Sequence, residues 1–349
     1  MNAPLVGIIA NPVSARDIRR IIANASNLQT SERVNIILRV LSTLSSLGVP
    51  KVMFMPDKAG ISSMLLRSLK REKANHFNFP DLEFVDMNVT STVDDTYVAA
   101  REMQKRGVKA IIVLGGDGTH RAVVKELMNG ERQGLPSVAI CGLSTGTNNA
   151  FPEMREPTIA AVAVGLYVTN KLPDAEALTK NKALEVLVDG QVQDVAIVDA
   201  VIGSDRYIGS RAIWKPSSLD AVYLTFADPE MIGFSAIGGL LSPVSRSEPS
   251  GLAIQLSPED GAKQFVLAPI APGMLSPIPL KKYERMSPDS LYPVSLEAGV
   301  VALDGEREFI FDATQKVEVR LRQNAFLTVD VARCMKFSAG QGLLSRLVA

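Results

Sequence analysis

Gly115-Gly116-Asp117-Gly118-Thr119 sets one carboxylate in a turn built otherwise of glycine, directly after the apolar run 110–114. Glycine in such a turn can take positive φ and lets a ligand approach the backbone. The stretch from Thr119 through Arg121 to Met128 has helical spacing, so a helix N-terminus faces the carboxyl end of a buried strand. Its unpaired N–H groups and dipole suit a phosphate. Asp117 would repel a phosphate directly, and the chemistry therefore needs Mg²⁺ between them or an acceptor hydroxyl beside the carboxylate. A P-loop would carry Lys-Ser or Lys-Thr after the last glycine, and a dinucleotide fingerprint would read Gly-x-Gly-x-x-Gly; the turn fits neither. The competing reading is an aspartate that only stabilises a glycine turn.

Ser144-Thr145-Gly146-Thr147-Asn148-Asn149 follows the strand expected at 137–141. Hydroxyls, amides and backbone donors in such a loop can grip phosphate or ribose oxygens without charge. With Asn11, Gly115, Gly116, Gly118 and Thr119 they form one phosphate cleft at neighbouring strand ends, against the alternative of two ordinary capped turns. Gly142 to Gly146 also matches Gly-x-Ser-x-Gly, the elbow of serine hydrolases. An α/β-hydrolase needs its histidine after the serine, and His76 and His120 both precede Ser144. His120 is expected to be a partly exposed residue of the helix's first turn. Asp304-Gly305-Glu306 stands between two short strands and is a hairpin turn on local grounds. Arg16, Arg19 and Arg20 are the cations nearest in sequence for a polyphosphate, and could equally be solvated helix residues.

Strands over 5–10, 52–55, 82–85, 110–114 and 137–141 alternate with amphipathic segments, among them a helix with Ile18, Ile21 and Ile22, one at 32–47 and one around 61–71. Another is capped by Thr92 and Asp95 and stops at Gly107. Such alternation predicts an α/β doubly wound parallel sheet with its sites at the strands' carboxyl ends. After a helix at 158–169 the texture changes. Strands over 183–188 and 191–201 flank the hairpin turn Asp189-Gly190. Others are expected at 251–256, 263–268, 299–303, 308–311, 316–322 and 326–331, with proline-rich connections at 268–273 and 276–279. This half is a mainly antiparallel β domain. The expected division is 1–175, α/β and nucleotide-binding; 176–335, β-rich; and a tail, 336–349.

At 349 residues, 46% hydrophobic and net charge zero, the chain is globular and long enough for two domains. No basic footprint for nucleic acid is present. Cys141 and Cys334 lie far apart beside apolar strands, which suits buried free thiols in a reducing compartment. With two histidines they form no metal-ligand cluster in the sequence. No apolar run approaches membrane length and no leader precedes the first strand, so no membrane association and a cytoplasmic location are expected.

Gly115 to Thr119 resembles the shared motif of the superfamily that joins NAD kinases, diacylglycerol kinases and sphingosine kinases. The segments 142–152 and 11–20 narrow the resemblance to the NAD-kinase-like acetoin catabolism X proteins. The three segments fall in family order across the N-terminal half; the match beyond them is looser. The resemblance implies a phosphotransferase that uses ATP or polyphosphate with Mg²⁺ held at Asp117, a small-molecule nucleotide partner with NAD as acceptor, and a homo-oligomer. It also implies a second domain serving substrate binding or oligomerisation and a tail returning to the first domain, with 342–348 either that returning helix or, equally, a frayed terminus. Lipid kinases of the superfamily carry a similar Asp-Gly-Glu near the nucleotide, so Asp304 and Glu306 would reach across the cleft. NAD kinases hold the nicotinamide ribose with an Asn-Glu pair; this chain offers Asp199-Ala200. A nucleotide-binding regulator without catalysis is the alternative, and a lipid kinase a lesser one, since no basic amphipathic helix or aromatic cluster is evident.

Overall fold

The computed structural model describes residues 5–12, 29–74, 78–145, 149–204, 218–258, 262, 264–271 and 273–345. The expected helix with Ile18, Ile21 and Ile22, together with Arg16, Arg19 and Arg20, lies outside them, as do Gly146, Thr147 and Asn148.

The first half alternates as the sequence predicts. Strands β1 (Leu5–Ala10), β2 (Lys51–Phe54), β3 (Asp81–Phe84), β4 (Ala110–Gly115) and β5 (Ala139–Ser144) are interleaved with helices α1 (Thr30–Ser46), α2 (Ile61–Ala74), α3 (Asp94–Lys105) and α4 (Asp117–Arg132). Their order, β3-β2-β1-β4-β5, is wholly parallel. All six residues of β4 are buried. Ala110, Ile112 and Leu114 join one core with Val34, Ile37 and Leu41 of α1, while Ile111 and Val113 join another with Met103 of α3 and Val123 of α4. A strand covered on both faces needs an unbroken apolar run, which 110–114 supplies. Helix α5 (Pro157–Val168) is apolar nearly throughout, opens on Pro157, and is capped by the Glu156 carboxylate, which accepts from the Thr158 and Ile159 amides.

The sheet does not stop near residue 175. After the short helix α6 (Asp174–Ala177), strands β6 (Leu178–Val188) and β7 (Gln191–Ala196) continue it, and β16 (Val317–Val329) is inserted between β5 and β6, parallel to the first and antiparallel to the second. The two strands expected at 316–322 and 326–331 are thus one, with an irregularity between Arg322 and Phe326. β13 (Leu291–Pro293) pairs with β16 from the side. The returning helix is α8 (Val331–Gly340), capped by Asp330; residues 341–344 form turns, and the rest of 342–348 beyond residue 345 lies outside the described residues.

The second sheet is antiparallel, in the order β11-β12-β10-β9-β8-β14-β15. Its strands are β8 (Asp199–Gly203), β9 (Leu219–Leu224), β10 (Gly251–Leu256), β11 (Gln264–Ala271), β12 (Met274–Met286), β14 (Gly299–Leu303) and β15 (Glu306–Phe311). Helix α7 (Phe234–Leu241) precedes β10. Asp189-Gly190 and Asp304-Gly305 both have positive φ at both central residues, 50° and 78°, 49° and 88°, as tight two-residue hairpins require. Two expectations fail here. Residues 268–271 and 276–279 of the proline-rich stretches lie in strands: Pro269 in the edge strand β11, and Pro277 and Pro279 where β12 pairs with β11 but not with β10, so their missing N–H groups interrupt no central ladder. The run 191–201 is broken at Ile197 and Val198, where the chain leaves the first sheet and enters the second.

Candidate functional site

Parallel pairing brings the ends of β1, β4 and β5 side by side, with Ala10 opposite Leu114 and Gly115 opposite Ser144. This is the point where the chain order of the sheet reverses, the crevice at which such sheets bind ligands. Asn11 donates from its backbone to the Leu114 carbonyl at 3.1 Å and from Nδ2 to Thr119 Oγ1 at 3.0 Å. Asn149 Nδ2 donates to Ser144 Oγ at 2.8 Å. Thr145 is buried and its amide meets the Gly115 carbonyl at 3.4 Å. Gly115, Gly116 and Gly118 do not have positive φ. Gly115 is required by close approach instead: a Cβ there would lie 2.6 Å from Thr119 Cβ, whereas one at Gly116 would meet only the end of the Asn149 side chain, at 2.9 Å.

Asp117 opens α4, and each of its oxygens accepts a backbone N–H: Oδ2 from Ala150 at 2.8 Å, Oδ1 from Phe151 at 2.9 Å. The carbonyls of the same two residues accept from Arg246, Nη2 to Ala150 at 2.6 Å and Nη1 to Phe151 at 3.1 Å. The Arg246 guanidinium lies 4.2 Å from the Phe226 ring centre and 5.4 Å from that of Phe151. Burial disfavours its charge, and the carboxylates of Glu153, Asp117 and Asp228 favour it.

Asp117 faces a small cleft, open to solvent, whose other walls come from the second sheet, at Asp199, Asp304, Gly305 and Ile270, and from the first turn of α7 at Gly233 to Ser235. Asp304 is fully engaged. Its oxygens accept from the amides of Ile197 at 3.0 Å, Val198 at 2.8 Å and Asp199 at 3.1 Å, with Arg121 Nε at 4.0 Å. The Ile197 and Val198 amides belong to the two residues between β7 and β8, where the chain changes sheet, while Thr225 takes the Ile197 and Val198 carbonyls. Burial and the Asp199 carboxylate push Asp304 well above the ordinary carboxylate range, against Arg121 and the Ile197 amide. Glu306 does reach the glycine turn: its Oε1 is 3.4 Å from where a Gly118 Cβ would stand.

His120 is not partly exposed. It is completely buried, with Nδ1 2.8 Å from the Gly116 carbonyl and Nε2 facing Gly142 without a hydrogen-bond partner among the described residues. Burial drives its pKa down to about 4, against the Gly116 and Val113 carbonyls. With Ser144 Oγ held by Asn149, the pair has no hydrolase arrangement.

The sequence pointed to the Asp117 turn, Asn11 and Ser144, and the structure brings these together. It did not point to Arg246 or to the Ala150 and Phe151 amides. Backbone donors carry no residue signature, and an arginine in the polar run 242–250 differs in no visible way from a solvated one.

The N-terminal part, residues 6–170, matches the ATP-NAD kinase N-terminal domain, and residues 182–324 match the acetoin catabolism protein X C-terminal domain. Over 99% of its length the chain is 50% identical to acetoin catabolism protein X of Cupriavidus necator, covering 95% of that protein. The chain belongs to the acetoin catabolism protein X family. The family's two matched segments meet between residues 170 and 182, at α6. Similar solved structures include the yeast NADH kinase complexed with NADH, with TM-score 0.48, 13% identity, 99% of this chain and 90% of that one. A putative diacylglycerol kinase from Bacillus anthracis str. Sterne gives TM-score 0.46, 14% identity, 94% and 96%. No helix among the described residues is long and apolar enough to cross a membrane.

Proposed function

We propose that the protein is a phosphotransferase of the NAD kinase kind, moving a phosphoryl group from ATP or polyphosphate to an alcohol on a small molecule, with NAD the first acceptor to try. One observation carries the reading: Asp117, at the start of α4, is held by two amides so that it faces a cleft closed from the opposite side by the second sheet. Phosphoryl transfer needs mainly positioning and neutralisation of charge, which a helix N-terminus, a close-approach glycine and a divalent ion supply. Among the described residues no group of three or more His, Cys, Asp or Glu could hold a metal. Mg²⁺ fits nonetheless, because it commonly uses one or two carboxylates and completes its shell with phosphate oxygens and water. Asp117 would be its protein ligand or would take the acceptor's hydroxyl hydrogen bond; Asn11, Ser144 and Thr145 would orient phosphates, with Gly146, Thr147, Asn148 and Asn149 in the adjoining loop. Asp199, lining the cleft, would meet the acceptor's hydroxyls. Asp304, already engaged, would set the wall rather than touch substrate.

Asp117→Ala is expected to lower turnover of a verified acceptor by about 10²-fold or more, read with labelled ATP and Mg²⁺. A loss smaller than about tenfold, near 1.4 kcal/mol of barrier, removes Asp117 from the mechanism. Asp199-Ala200, standing where NAD kinases carry Asn-Glu, favours a second reading, a regulator that binds nucleotide without transferring phosphate. Calorimetry with NAD, NADP and ATP separates the two: saturable binding with no product across a panel of acceptors selects the regulator.

A further inference from the structure

We propose that Arg246 is a positioning residue for Asp117, aligning the Ala150 and Phe151 amides and tying the carboxylate to the helix across the cleft. The claim rests on the reading of Asp117 as the group beside the transferred phosphoryl, although its first readout does not.

The geometry follows from one peptide plane. The Ala150 carbonyl and the Phe151 N–H belong to the same planar trans peptide and point in opposite directions. Arg246 Nη2 on the carbonyl at 2.6 Å therefore fixes the direction of the N–H that donates to Asp117 Oδ1 at 2.9 Å. Nη1 takes the Phe151 carbonyl at 3.1 Å, so both residues are clasped between guanidinium and carboxylate. Hydrogen bonds in such a chain polarise one another. Two divergent carbonyls need a planar fork, and the aromatic faces of Phe226 and Phe151 keep it in plane; a lysine offers neither match.

Arg246 is itself held. Lys182 Nζ on β6 donates to the carbonyls of Ser245, Glu248 and Ser250 at 3.1, 2.7 and 2.7 Å, and Arg285 on β12 reaches the Pro243 carbonyl at 2.7 Å and Glu248 Oε2 at 3.0 Å. The strap 242–250 begins where α7 ends, and the first turn of α7 lines the cleft opposite Asp117. The acceptor-side wall and the carboxylate are thus two ends of one braced segment.

The test uses the full chain with Arg246→Met, Arg246→Lys and Arg246→Ala. Amide exchange in a peptide covering 149–152 should quicken by about tenfold or more in all three while the global unfolding midpoint changes little. Turnover should fall by roughly 10²-fold with nucleotide affinity nearly unchanged. Added guanidinium ion should restore part of the turnover in Arg246→Ala. Unchanged protection of 149–152 overturns the proposal. So does a loss of turnover that tracks a loss of global stability and is not recovered with guanidinium. If the wild-type chain transfers no phosphate to any acceptor, the proposed function fails while the exchange result alone still decides for or against Arg246.

Discussion

His120 shows how a residue can support a site without touching it. Its ring is buried beneath the glycine turn and holds the Gly116 carbonyl through Nδ1, so Nδ1 carries the proton. Its folded pKa of about 4 lies below the ordinary 6.5, so the unfolded chain binds the extra proton first. The stabilising effect of keeping it neutral is complete above pH 6.5 and is lost as pH falls towards 4, a difference of up to about 3 kcal/mol. His120→Asn keeps a donor at the Nδ1 position and removes the titration; its unfolding free energy should fall less steeply between pH 6.5 and 4 than that of the wild type. Parallel slopes in denaturant titrations at the two pH values would contradict this. Asp304 is the second such residue. Asp304→Ala strands three buried amides and should lower stability by about 3 kcal/mol or more. A loss under about 1 kcal/mol would mean that water or a neighbouring group replaces the carboxylate.

Whether an element could be foreseen depended on whether its pattern was local. The run 110–114 declares a doubly covered strand because both faces must be apolar, and Asp189-Gly190 declares a hairpin because both residues tolerate positive φ. The break at Ile197 and Val198 has no such local sign. Both residues are apolar and buried, as they would be in a continuous strand; their amides are taken by Asp304, which the end of the neighbouring strand β14 brings to the break. The prolines at 269, 277 and 279 misled for the converse reason, since a proline is excluded only from a strand paired on both sides, and pairing is a tertiary fact. The site divided along the same line. Asp117 could be read from its turn, while Arg246 and the amides it aligns became visible only when the strap at 242–250 was seen folded against the loop after β5. Helix α7 was hidden by its two internal glycines, Gly238 and Gly239, which lower helix propensity but are needed for packing: a Cβ at Gly238 would lie 2.3 Å from Leu224, and one at Gly239 would lie 2.3 Å from the Asp228 carbonyl. 

At the scale of the molecule, the two sheets share the residues that make the site. The core containing Phe151 also holds Ile197, Val198, Phe226 and Phe326, so this core joins the two halves. Cutting the chain after residue 175 would therefore leave β5 without β16 beside it and Phe151 without Phe326. Such a fragment is expected to lack a cooperative unfolding transition by calorimetry; a sharp transition with native-like near-ultraviolet dichroism would show that the first half stands alone. The placement of β16 has a further consequence, in time rather than in space. During synthesis the strands of the first sheet leave the ribosome early, yet the neighbour that covers the open edge of β5 is translated only after the whole second sheet. Contacts so distant along the chain form slowly, and unpaired apolar edges invite association meanwhile. The nascent chain must therefore carry the open edge of β5 until β16, at Val317–Val329, has been made, an interval in which exposed strand edges favour association.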